Sequence, residues 1–191
     1  RSAQTVTVTG VDDPTLDSDV SYTLKTTAAN TGGFAGNETA TIGVVNKDND
    51  TAGIKITPNA SSGATDSNGN LITTEAATKN TFTVELTAQP TADVVVSISG
   101  LDATEGSLDK SSLTFTASNW NTAQTVTVTG VDDSIVDANI AYTLTATTAS
   151  SGGYSGETAT VGIVNNNDDS YGVTITPNAA SGATDSNGKL I

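Results

Sequence analysis

The chain has 191 residues, 35% hydrophobic and only 4% aromatic, so any core is thin, which suits small β-sandwiches better than one large globule with a single deep core. With 21 carboxylates against 7 basic residues it carries −14 at pH 7, a charge that repels nucleic acid and anionic lipid and attracts cations. Cysteine and histidine are absent, which excludes disulfides, thiolate metal sites, cysteine nucleophiles and the usual general base near neutral pH.

Residues 3–13 read AQTVTVTGVDD. The alternation Thr5-Val6-Thr7-Val8-Thr9 predicts a strand with valines on one face. The loop after it holds Asp12, Asp13, Asp17 and Asp19, and Asp48 and Asp50 follow before the next apolar run. From there, β-branched and aromatic residues at period two predict strands near 53–57, 79–87, 93–99, 111–117, 123–130, 139–148 and 157–164. Asp66-Ser67-Asn68-Gly69 has the composition of a hairpin tip. Trp120, just before a strand, is expected to cap the core. No run approaches the ~18 apolar residues of a membrane helix, and no signal peptide is visible.

The sequence matches itself. Residues 3–13 recur unchanged at 123–133, and Asp17, Tyr22 and Gly32-Gly33 fall on Asp137, Tyr142 and Gly152-Gly153. Asn37 has no counterpart, so beyond it the offset is shorter by one: Glu38 falls on Glu157, Asn46 on Asn165 and 64–69 on 183–188. A long self-match at fixed period signals serial modules. The expected organisation is the back part of one repeat at 1–50, a complete repeat at 51–169 and the start of a third at 170–191. The expected fold is all-β: tandem immunoglobulin-like, seven-stranded β-sandwiches of about 120 residues each.

Alternating strand direction then places chemistry. If consecutive strands run antiparallel, the loops 131–138, 165–169 and 101–106 and the residue Glu75 all lie at one end of the central module. They bring together Glu75, Asp102, Glu105, Asp132, Asp133, Asp137, Asp168 and Asp169, with no basic residue in these segments. Such crowding raises carboxylate pKa values unless a cation compensates. Calcium, which takes about six to eight oxygens in flexible geometry, suits the set better than magnesium, and zinc would want histidine or cysteine. Asp12, Asp13, Asp17, Asp48 and Asp50 repeat the plan in the first segment. The ligands at the exit differ, because Asp48 aligns with Asn167 and Asn49 with Asp168.

Glu75, the strand Thr81-Phe82-Thr83-Val84-Glu85-Leu86, the Val131-Asp132-Asp133 loop with Asp137, and the exit 165–169 together resemble Calx-β domains. The Leu113-Thr114-Phe115 and 119–133 runs look like the Calx-β-type repeats of large bacterial surface and secreted proteins. The resemblance implies calcium at one end of a seven-stranded sandwich, held by Glu75, Asp102, Asp132, Asp133, Asp137, Asp168 and Asp169. The chain departs from the usual pattern in an insert, 60–70, before Glu75 and in having Asp137 where some relatives use glutamate.

The expected function is a calcium-stiffened stalk or fibre, structural or adhesive, at a bacterial surface or in the extracellular matrix. Its partners would be neighbouring repeats of its own chain, or further copies in a homo-oligomer or filament, with no nucleic acid and no membrane insertion. One alternative is a filament subunit held by strand exchange. A carbohydrate-binding module is another, and it would need an exposed aromatic platform. Catalysis is not expected, since adjacent aspartates on a crowded turn form no two-sided cleft.

Overall fold

Sixteen of the most buried apolar side chains form one cluster, and all of them lie between Leu71 and Ile163. The computed structural model describes residues 3–33, 35–59, 61–176, 185–187 and 189. Within the predicted third-repeat segment, 170–191, residues 177–184, 188, 190 and 191 lie outside the described residues. Among the described residues all regular structure is β, and no helix is long and apolar enough to cross a membrane.

Two strands precede the clustered region, β1 (Val20–Thr27) and β2 (Thr39–Asn46), paired antiparallel as an isolated two-stranded sheet. The remainder is a β-sandwich. Its strands are β3 (Ile54–Pro58), β4 (Leu71–Thr74), β5 (Lys79–Leu86), β6 (Val94–Ser99), β7 (Gly106–Leu108), β8 (Ser112–Phe115), β9 (Gln124–Gly130), β10 (Ile140–Thr148) and β11 (Thr158–Asn166). One sheet has the order β4-β11-β10-β6-β8 and the other β3-β5-β9-β7. Period-two patterning explains the layers. Phe82, Val84 and Leu86 of β5, and Val126 and Val128 of β9, face inward from one sheet. From the other, Val94 and Val96 of β6, Phe115 of β8, Leu144 of β10 and Ile163 of β11 meet them.

Seven strands were expected in the central module and nine are present. The two additional ones are short. β4 has four residues and joins β11 as a parallel edge, Ile163 opposite Leu71 through Asn166 opposite Thr74. It follows the 60–70 insert, whose tip at Asp66-Ser67-Asn68-Gly69 turns as expected: Gly69 has φ of +84°, and Asp66 and Asn70 close the hairpin. β7 has three residues, too few to show periodicity, and pairs with the end of β9. Trp120 packs against the core.

Residues 5–9, also expected to be a strand, form none, and Val6 is 79% exposed. The same AQTVTVTG sequence forms β9 in the sandwich, where β5 and β7 pair with it on either side. Identical residues therefore differ in structure because a ladder partner is present in one place and not in the other. The β1–β2 hairpin shows the same contrast. Tyr22 pairs with Val44, as Tyr142 pairs with Ile163 in the matching hairpin. Yet Ile42 is 64% exposed while its counterpart Val161 is 5% exposed.

Candidate metal centre

β9 and β11 run toward one end of the sandwich, and β5 and β10 run away from it. β6 is antiparallel to β10, and β4 is parallel to β11. The four segments expected to converge do so. Glu75 follows β4 and donates its N–H to Asn166 O of the exit at 3.2 Å. Val131, after β9, donates its N–H to Glu105 O at 3.0 Å, tying the 131–138 loop to the loop between β6 and β7.

The carboxylates form two groups of three, each able to offer oxygens within 4.8 Å of one another: Glu75, Asp132 and Asp168, and Glu105, Asp133 and Asp137. Each combines one buried glutamate with aspartates nearer the solvent; Glu75 is 2% exposed and Glu105 6%. Among the described residues none of the six is in an ion pair, since the three salt bridges are Lys47–Asp19, Lys55–Glu85 and Lys110–Asp109.

Asp169 stands beside these groups. Its backbone is held by an N–H bond to Asn167 Oδ1 at 2.7 Å, and its Oδ2 is buried with no hydrogen-bond partner. Burial raises its pKa above the ordinary aspartate value, and the charges of Asp168, Asp132, Asp133 and Asp137 push it further. Glu75 accepts the Asp168 N–H at 2.9 Å, which favours its charged form. Burial and the charges of Asp133, Asp169 and Asp168 outweigh that bond, and the net shift is upward. An all-oxygen set with an unpartnered buried carboxylate oxygen fits a hard cation of calcium's type.

Asp102, expected as a ligand, lies outside both groups. Its carboxylate accepts the Thr104 Oγ1–H at 2.7 Å and the Thr104 N–H at 3.1 Å, which hold its pKa low. Its carbonyl accepts the Glu105 and Gly106 N–H groups, and this turn carries Glu105 to the cluster. Only the position of Glu105 in the same acidic loop signalled it in the sequence.

A buried network underlies the second group. Asn165 of β11 is 1% exposed. It donates from Nδ2 to Glu105 Oε2 at 3.2 Å and to Val131 O at 3.1 Å, and it accepts from Thr73 Oγ1 at 3.0 Å. It thus joins both edges of the loop cluster to the core. Tyr142 lies beside this network; burial, with the charges of Asp102 and Glu105, pushes its pKa up to about 12.

In the first segment Asp12, Asp13, Asp17, Asp48 and Asp50 line one concavity, but no three of them form a close group among the described residues. Several of their oxygens serve backbone donors. Asp13 Oδ1 accepts the Thr15 N–H, and Asp48 accepts those of Ser18 and Asp50. Asp19 is paired with Lys47. Burial raises the pKa of Asp50, as do the charges of Asp48, Asp12, Asp13 and Asp17. Among the described residues no glutamate lines this concavity.

No family model and no curated protein matches this chain. Among solved structures it is similar to the YadV chaperone, with 10% identity, TM-score 0.42, and 63% of this chain against 54% of that one. It is also similar to the periplasmic chaperone SfaE, with 11% identity, TM-score 0.42, and coverage of 68% and 63%. A protein of unknown function from Porphyromonas gingivalis W83 matches with 11% identity, TM-score 0.43, and coverage of 64% and 51%. The chain thus spans between about half and under two thirds of the length of these structures, and likeness at this level carries no argument about function.

Proposed function

We propose that this chain is part of a structural or adhesive extracellular repeat protein of the Calx-β type, stiffened by calcium where one module leads into the next. The observation that supports it best is the pair of carboxylate groups at the exit of the sandwich, each built on a buried glutamate. Asp168 and Asp169 belong to the segment by which the chain leaves the sandwich, so an ion held with Glu75 and Asp132 would fasten that segment to the loops. Glu75 and Asp169, whose charged forms are disfavoured by burial and by the neighbouring carboxylates, would gain most from such an ion. Among the described residues Phe82, Phe115 and Tyr154 are core residues with Trp120 and Tyr142 packed against the core, and the exposed aromatics are Tyr22 and Tyr171, which lie in different segments.

Thermal unfolding in excess calcium and in chelator, with magnesium as control, tests this reading. Binding to the folded state alone stabilises by about 2.7 kcal/mol at a hundredfold excess over Kd. A rise in Tm specific to calcium is expected, and equal Tm values in calcium and chelator would overturn it.

The uncovered apolar face of the β1–β2 hairpin, with Ile42 and Val20 exposed, favours a second reading as a filament subunit completed by strands of another copy. Sedimentation distinguishes it, since strand exchange produces assemblies that grow with concentration in chelator as well as in calcium.

A further inference from the structure

The first segment touches the sandwich at one well-defined place. Thr15 forms a parallel bridge with Gln89, in the connection between β5 and β6. Leu16 donates its N–H to Gln89 O at 2.9 Å, and Gln89 donates its own to Pro14 O at 2.7 Å. The side chains add Thr15 Oγ1 to Gln89 Oε1 at 2.9 Å and Gln89 Nε2 to Ala117 O at 2.7 Å. Leu16 packs against the sandwich core, over Gly153, whose φ of +93° and missing side chain leave the space for it. The Pro14-Thr15-Leu16 loop is therefore a plug seated in the end of the sandwich opposite the carboxylates.

By the self-match, Ser134, Ile135 and Val136 are the counterparts of that plug at the carboxylate end. The two loops have the same internal bonds. Asp13 Oδ1 accepts the Thr15 N–H at 2.9 Å, and Asp133 Oδ1 that of Ile135 at 2.6 Å. Asp17 donates to Thr15 O and Asp137 to Ile135 O, both at 2.9 Å. One plug is seated and, among the described residues, the other is not, yet both hold one shape, so the second loop is already arranged for docking. Ile135 is 62% exposed at its tip.

We propose that the Ser134-Ile135-Val136 loop is a docking surface for another sandwich of this same sequence type, entered through its Gln89-like connection and Gly-Gly turn. The seated plug supplies the geometry. Two backbone hydrogen bonds would form whatever the side chains, and Val136 would take the apolar place of Leu16. Ile135 replaces the hydroxyl of Thr15 by apolar area, so the second junction exchanges one side-chain bond for burial. This lock rests on the reading of the chain as serial modules, but it does not use the metal.

The test extends the full chain at Ile191 with a copy of its own residues 73–169, which follow on from 170–191 by the self-match. The chain has no cysteine, so introduced pairs can be joined by a short bismaleimide without background. Three pairs are compared in chelator: Thr15→Cys with Gln89→Cys as the seated standard; Ile135→Cys with cysteine at the added copy of Gln89; and Thr174→Cys with cysteine at the added copy of Glu85. Thr174 matches Lys55, which pairs with Glu85 between β3 and β5, so the third pair reports folding of the added module. Crosslinking of the Ile135 pair to within about twofold of the standard is expected. If it falls below a tenth of the standard while the folding pair forms, the lock is wrong and the serial-module reading stands. If the folding pair also fails, both are wrong.

Discussion

Replacing Asn165 by alanine should loosen the sandwich and its carboxylate end together. The substitution deletes three hydrogen bonds, to Glu105, Val131 and Thr73. Each neutral bond contributes about 1 kcal/mol net, and the bond to a charged carboxylate contributes more. The partners left behind include Glu105, which is nearly inaccessible to water. The expected loss is about 3 kcal/mol, or a fall in Tm of roughly 10 °C for a unit of this size. The urea-unfolding slope should stay constant while the midpoint drops. The chain contains its own control. Asn46 is the counterpart of Asn165 and donates to Val11 O at 3.0 Å, but at an exposed site with no glutamate beside it. Asn46→Ala should cost less than about 0.5 kcal/mol. Chemical denaturation of both variants in chelator decides the matter. The reasoning fails if Asn165→Ala costs under about 1 kcal/mol or if the two substitutions cost the same. Because Asn165 positions Glu105, calcium affinity in this variant should also fall by about tenfold or more.

Other consequences can be checked alongside. Glu75→Gln keeps an acceptor for the Asp168 N–H and removes a crowded charge, so it should stabilise the chain in chelator and abolish most of the gain from calcium; the same sign of effect in both conditions would contradict the electrostatic account. The pH dependence follows from the raised carboxylates Glu75, Asp169 and Asp50. A folded-state value above the unfolded one contributes stability that is present at low pH and lost as pH rises through the raised value. In chelator these groups should therefore add stability as pH falls from neutral toward the ordinary glutamate value of 4.5, whereas in calcium protons compete with the metal and the slope should reverse. Below that range the lowered groups Asp19, Glu38, Asp66, Asp102, Asp109 and Glu157 lose their contribution and the chain should destabilise in either condition. Gly130→Ala would drive a methyl group into Thr74 O at the end of β4, and a loss of about 1–3 kcal/mol is expected by thermal unfolding.

Much of this structure was legible because period-two alternation survives wherever a strand is long and has one buried face. β5, β6, β9, β10 and β11 are such strands, and antiparallel order alone placed Glu75 beside the 131–138 and 165–169 loops. Four features were not legible. β4 and β7 are too short for periodicity to register. Residues 5–9 have a strand's pattern, but a strand needs a neighbour, and pattern does not reveal whether one is present. Asp102 and Glu105 share a loop, and which of them turns toward the cluster depends on Thr104, whose hydroxyl and amide claim the Asp102 carboxylate. The Asn165 network was hidden for a related reason: its asparagine, threonine and glutamate come from three separate segments and carry no local motif.

The most direct test of the central claim is a calorimetric titration of the chain with calcium, repeated with magnesium and with the Glu75→Gln/Asp168→Asn variant. The account predicts saturable calcium binding, much weaker magnesium binding, and loss of calcium binding in the variant while its fold is retained in chelator. Absence of calcium binding to the unaltered chain, or undiminished binding to the variant, would contradict it.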